Sequence, residues 1–126
     1  MTAPPPGITG VTVILSEPDD TRLRAAMALA CACAALGGRA RLHFHEHAVA
    51  LLIAGPEPNG GDKLAEGMPD RTTLFGHARE AGVELTACQT GMSLQRIEHA
   101  QLPAGTEPSS LVGLLATIGD DRLVMA

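Results

Sequence analysis

The sequence predicts an α/β protein, a three-layer α/β/α sandwich around a mainly parallel sheet of four to five strands. Three observations predict it. Residues 11–15, Val-Thr-Val-Ile-Leu, form a short β-branched run with almost no polar interruption, the pattern of a strand buried on both faces. Residues 21–36 are Ala-rich and contain no Gly or Pro, which favours one long helix. Strand-like and helix-like segments then alternate to the end, as in a sheet covered by crossover helices.

Each element follows from its local chemistry. Asp19 and Asp20 precede the long helix as capping residues, and Gly37-Gly38 ends it. The second half of that helix is apolar all round, which predicts burial on most sides. Residues 39–45 read as the second strand, with Leu42 and Phe44 on one face and Arg41, His43 and His45 on the other. Residues 47–54 read as a short helix. Residues 55–70 are rich in Pro, Gly and charge and read as a surface loop, with one helical turn around 62–66. Residues 71–81 form an amphipathic helix stopped by Gly82. The strand 83–88 and a helix over 91–99 follow. A short strand is expected around 104–107, a helix over 109–118, and a last strand over 122–125. All of this fits one domain over 1–126, with 1–8 as a flexible tail.

Composition narrows the function classes. Net charge is −5, no basic run occurs, and the aromatic residues are two Phe with no Trp or Tyr. Nucleic-acid binding is therefore disfavoured. The N-terminal segment lacks the basic start and apolar stretch of a signal peptide, and the longest apolar run, 25–36, is too short to span a bilayer. No membrane association is expected, and three cysteines without a disulfide pattern point to a reducing cytoplasm. A core of Ala, Leu, Val, Ile and Met buries little area per residue, so further burial between subunits is expected.

Cys88 is the leading site candidate. It closes a strand and is followed by Gln89-Thr90-Gly91-Met92-Ser93-Leu94, a tight turn entering a helix. The carboxyl end of a parallel sheet is where open α/β folds place ligands. Free N–H groups at a helix start favour an anion, and a thiolate is one. The competing reading is a buried, inert cysteine. Cys31 and Cys33 lie two apart among alanines. Their side chains diverge on a helix, and they read as packing residues.

His43, His45 and His47 alternate. On an extended strand three imidazoles would share one face and could bind zinc or nickel. The turn expected at Glu46-His47 breaks that alternation, so no metal ligand set is assigned. His45 and His47 are instead expected beside the Cys88 thiol at the same sheet edge. Gly113 is read as a close helix–helix contact and Asp120-Asp121 as turn formers. Asp19-Asp20 does not make a phosphoacceptor pocket, because no middle-strand Asp or later Lys completes one. No second cysteine stands near Cys88 to make a dithiol oxidoreductase.

The segment 82–94, Gly-Val-Glu-Leu-Thr-Ala-Cys-Gln-Thr-Gly-Met-Ser-Leu, resembles the cysteine-bearing segment of the DsrE/DsrF/TusD-like proteins. The initial strand, the Ala-rich helix, a strand ending near His45 and a closing strand after Asp120-Asp121 resemble that family too. The resemblance implies a small α/β/α domain that assembles into homo- or hetero-oligomers, often trimers or hexamers, and works in cytoplasmic sulfur relay. Cys88 would carry sulfur as a persulfide, with the N–H groups of Thr90, Gly91 and Met92 stabilising the charge. Sulfur donor and acceptor proteins are the implied partners, and no organic cofactor is expected. Two features depart from the family. Arg96 stands where many relatives have a small residue, often Gly, and the 55–70 loop is an elaboration of this chain. Two other function classes are kept beside this one. One is a noncatalytic oligomeric domain binding a small ligand or metal at the His43/His45/His47 edge, and the other is a redox-sensing thiol at Cys88.

Overall fold

The computed structural model describes residues 9–53 and 70–126. The expected tail over 1–8 lies outside these residues, as does the 55–70 loop with its helical turn, Asp70 excepted. The described chain forms β1 (Val11–Leu15), α1 (Asp20–Ala35), β2 (Ala40–Phe44), a 3-10 helix over Glu46–Leu52, α2 (Arg71–Ala81) and β3 (Glu84–Cys88). There follow α3 (Gln89–Leu94), a 3-10 turn over His99–Gln101, β4 (Glu107–Ser109), α4 (Leu111–Ala116) and β5 (Arg122–Met125).

The five strands form one sheet in the order β4-β3-β2-β1-β5, and every pairing is parallel. Helices cover both faces. Phe44 meets Phe75 of α2 edge-to-face at 5.9 Å on one side. On the other, Arg41 donates to the Leu114 carbonyl of α4 at 3.1 Å and to Thr117 Oγ1 at 2.8 Å. Central burial explains the unbroken apolar reading of β1: Val13 and Leu15 are completely enclosed, as are Leu42 and Phe44 of β2.

The helix ends behave as their residues require. Asp19 accepts from Arg22 N–H at 2.9 Å, Asp70 from Thr73 N–H at 2.8 Å, and Ser110 from Gly113 N–H at 3.1 Å. Gly82 closes α2 in the left-handed conformation at φ 91°.

Several expectations are corrected. The segment after β2 is a 3-10 helix from Glu46, one residue earlier than expected. The helix after Cys88 ends at Leu94, and a separate 3-10 turn holds His99. The fourth strand sits at 107–109, later than expected, and the helix after it starts at Leu111 because Ser110 caps it. The second half of α1 is not buried on most sides: Leu29 and Leu36 are exposed. One side of α1 lies on β1 and β2, while nothing among the described residues covers its outer face. Among the described residues Gly113 makes no helix–helix contact; the space beside it is bounded by Ser110 and Ser109. Asp121 is more than a turn former. Its carboxylate is nearly enclosed and accepts from Arg39 Nη2 at 2.7 Å and Thr12 Oγ1 at 2.9 Å, with Arg41 Nε at 3.6 Å. This ties the start of β5 to β1 and β2 at the end of the sheet opposite Cys88.

Candidate functional site

The site is built where β2 and β3 end side by side. The register pairs His43 with Thr86 and Phe44 with Ala87, so the chain leaving Phe44 and the chain leaving Ala87 emerge together. His45 continues the β2 line, its N–H donating to the Leu15 carbonyl at 2.9 Å. Cys88 ends β3 and is the N-cap of α3, with its Sγ accepting from Gly91 N–H at 3.4 Å. The position is at the carboxyl edge of the sheet. It lies on β3, away from the β1–β5 boundary where the strand order reverses.

Glu46 sets what comes next. Its φ of 47° is left-handed, a conformation that costs a non-glycine residue roughly 1–2 kcal/mol. That turn sends His47 away from the line of His43 and His45. His47 is exposed, and its carbonyl engages the neighbouring segment, accepting from Gln95 Nε2 at 3.3 Å. Gln95 Nε2 also reaches the Glu46 carbonyl at 3.2 Å, which fixes α3 against the turn. Gly91 makes this approach possible. A Cβ built there would lie 2.8 Å from Glu46 Cα and closer still to its carbonyl oxygen, so only a residue without a side chain fits.

The result is a compact group of three: one donor atom each from His43, His45 and Cys88, all within 4.8 Å of one another. Cys88 is 6% exposed and His43 is completely buried. His43 Nδ1 is held by Thr86 Oγ1 at 2.8 Å, while its Nε2 is buried without a hydrogen-bond partner. His45 Nδ1 is likewise buried and unpartnered, and its Nε2 lies 3.6 Å from Glu46 Oε1. Two buried ring nitrogens without partners, on residues that converge with a thiol, cost stability unless something uses them.

Of the residues picked from sequence, the structure brings together Cys88, Gly91 and His45. It adds His43, which the alternating pattern had placed in the histidine edge but not beside the thiol. His47 and Thr90 are exposed and are not among the three converging donor residues. Met92 is buried among the core side chains, and the N–H drawn to the sulfur is that of Gly91. Ser93 is exposed. Arg96 is exposed and has a φ of 55°, a region that glycine occupies freely and that costs an arginine some strain. Cys31 and Cys33 lie on α1. Burial pushes the Cys31 thiol up, which disfavours its thiolate, and Cys33 Sγ lies 3.5 Å from the Thr9 carbonyl.

Burial pushes the His43 imidazole down to about 4 from its ordinary 6.5, with His45 and Arg41 acting in the same direction. His43 is therefore neutral in the fold but takes a proton when the chain unfolds at mildly acidic pH. The unfolded state binds the extra proton between those two values, so stability is complete above about 6.5 and falls as pH drops toward about 4. Thermal midpoints measured across that window are expected to fall more steeply for the wild type than for His43→Gln. Parallel curves would mean that His43 is not buried as a neutral ring.

No family model matches the sequence, and no curated protein matches it. Solved structures do. The ychN protein of E. coli aligns with a TM-score of 0.65 at 21% identity, covering 94% of this chain and 99% of that one. MTH1491 of Methanobacterium thermoautotrophicum, a protein of unknown function, aligns with a TM-score of 0.67 at 15% identity over the same shares. At these identities the likeness shows the fold alone: a parallel five-stranded sheet with helices on both sides. No helix of the described residues is long and apolar enough to cross a membrane.

Proposed function

We propose that this protein is a sulfur carrier of the DsrE-like type, with Cys88 accepting and passing on persulfide sulfur. The observation that supports this most is the placement of the Cys88 thiol. It caps a helix, accepts the Gly91 N–H, and shares a small pocket with two imidazoles. The chemistry is balanced without an external oxidant. The Cys88 thiolate attacks the outer sulfur of a donor persulfide, forming a new S–S bond as the donor's own S–S bond breaks and the donor thiolate leaves. An acceptor thiolate then attacks the outer sulfur on Cys88, and the Cys88 thiolate leaves. In this reading His45, the less buried of the two rings, receives the thiol proton at the first step.

In this reading the partners are a donor and an acceptor protein in the cytoplasm, and the working unit is a homo-oligomer. Its apolar contact surface would come from Val112 and Leu115 of α4 with Leu123 and Met125 of β5, all exposed in the single chain.

Intact mass after incubation with a small persulfide donor tests the reading. The native protein is expected to gain one sulfur per chain and to lose it on adding a thiol reductant. A gain that resists reduction is sulfinic acid, which has nearly the same mass, and would count against a carrier. Loading seen only in denaturant would make Cys88 a packing residue.

A further inference from the structure

We infer that His43, His45 and Cys88 form a zinc-binding site with three protein ligands and one open position. The donor set is His43 Nε2, His45 Nδ1 and Cys88 Sγ. Three separate facts lead to it. The three donor residues converge within 4.8 Å. The two ring nitrogens not otherwise engaged are both buried and lack a partner. His43, moreover, is completely enclosed, so no bulk water satisfies its Nε2. An enclosed nitrogen without an acceptor or donor partner is an expense that a bound cation removes.

The chemistry of the set selects the ion. One thiolate and two imidazoles are borderline-soft ligands that suit Zn2+ and exclude the hard, oxygen-seeking Mg2+ and Ca2+. Zinc bonds of ~2.0–2.3 Å in a tetrahedron put ligand atoms roughly 3.3–3.8 Å apart. Closing from the present spacing takes side-chain movements of about 1 Å, small for a cysteine at a helix cap and a histidine just past a strand end. The supporting contact is already in place. Thr86 Oγ1 sits 2.8 Å from His43 Nδ1; in the tautomer with its proton on Nδ1, that N–H donates to the hydroxyl and Nε2 keeps its lone pair for the metal, the usual arrangement of a ligating histidine. Neighbouring strands fix both residues in register. His47 takes no part, because the left-handed turn at Glu46 directs it away. Cys31 and Cys33 are on α1 and belong to no such cluster among the described residues.

The inference does not depend on sulfur transfer, since it concerns metal binding by the reduced thiol. Both uses draw on the same sulfur, so bound zinc is expected to exclude persulfide loading. Metal binding is read without any sulfur donor present, and loading is read in a chelator, so either reading can fail while the other stands.

The test uses the full chain, reduced and stripped of metal, titrated with Co2+ and then Zn2+. One Co2+ per chain is expected, with a sulfur-to-cobalt charge-transfer band and the visible bands of tetrahedral cobalt, both erased by one equivalent of Zn2+. Cys88→Ser is expected to abolish the charge-transfer band. His43→Gln and His45→Gln should each weaken binding at least about tenfold. His47→Gln and a Cys31→Ser/Cys33→Ser double variant should bind as the wild type does. In the unaltered chain Zn2+ should also slow alkylation of Cys88, a readout that needs no variant to fold. Absence of the charge-transfer band in folded wild type, its survival in Cys88→Ser, or alkylation of Cys88 indifferent to Zn2+ would each overturn the inference.

Discussion

Cys88→Ser is expected to lose persulfide loading completely while keeping the fold. The sulfur is the reacting atom, and a serine hydroxyl at this position cannot form the S–S bond. The fold survives because the replacement preserves the local hydrogen bond. Cys88 is the N-cap of α3, and its Sγ accepts from Gly91 N–H. Serine is a better cap than cysteine, and its smaller side chain leaves little void in a pocket already lined by polar nitrogens. The lost packing and the improved cap oppose one another at about 1 kcal/mol each, so the thermal midpoint should move only slightly. Cys31→Ser and Cys33→Ser are the controls, and both should load as the wild type does. Circular dichroism melts paired with intact mass check both halves. A folded Cys88→Ser variant that still gains sulfur would move the chemistry to α1.

Gly91→Ala should be among the most damaging single-methyl additions in the site. Two effects compete. Ala is favoured over Gly within a helix by about 1 kcal/mol, so α3 taken alone would gain. Against that, the added Cβ falls on backbone atoms of Glu46, within 2.8 Å of its Cα. Backbone held in a left-handed turn and tied to Gln95 at two carbonyls cannot step aside as a flexible side chain would. Overpacking of this kind costs about 3 kcal/mol, so the clash wins and a net loss of about 2 kcal/mol is expected. That corresponds to a midpoint lowered by roughly 8 °C in a chain of this size. The same displacement pushes α3 from the Glu46 turn and separates Cys88 from His45. Persulfide loading and Co2+ binding should therefore both fall even well below the midpoint. An Ala variant as stable as the wild type would show that the two segments are not packed as described.

How much of this was legible in the sequence depends on which forces decide each feature. β1 and α2 could be read residue by residue, because β-branched runs, caps and a terminal Gly are local signals. Helix α1 shifted by one residue at each end, an ordinary difference at frayed termini. Its burial was misread because apolar composition does not say whether an element lies over every side. Leu29 and Leu36 stay exposed where nothing among the described residues covers them. Cys88 stood out by its place between a strand and a turn, and Gly91 by its spacing from it. The pairing of His43 with the thiol was not legible. It depends on β2 lying beside β3 in a particular register, and strand order leaves no trace in a one-chain pattern. The divergence of His47 was foreseen as a turn, but the agent, a left-handed Glu46, carries no sequence mark because Gly or Asn would be the usual occupant. Asp121 looked like any turn aspartate. Its role as the acceptor for Arg39 and Thr12 arises only when β5 crosses to lie beside β1.

The measurement that bears most directly on the central claim is the location of the loaded sulfur in native protein. The chain, held folded and free of metal, is treated with a persulfide donor, blocked, digested and mapped by mass. One sulfur on the peptide carrying Cys88, removable by a thiol reductant and absent from the peptide carrying Cys31 and Cys33, is the predicted result. Sulfur on the Cys31/Cys33 peptide, or a Cys88 that takes sulfur only once the chain is unfolded, would contradict it.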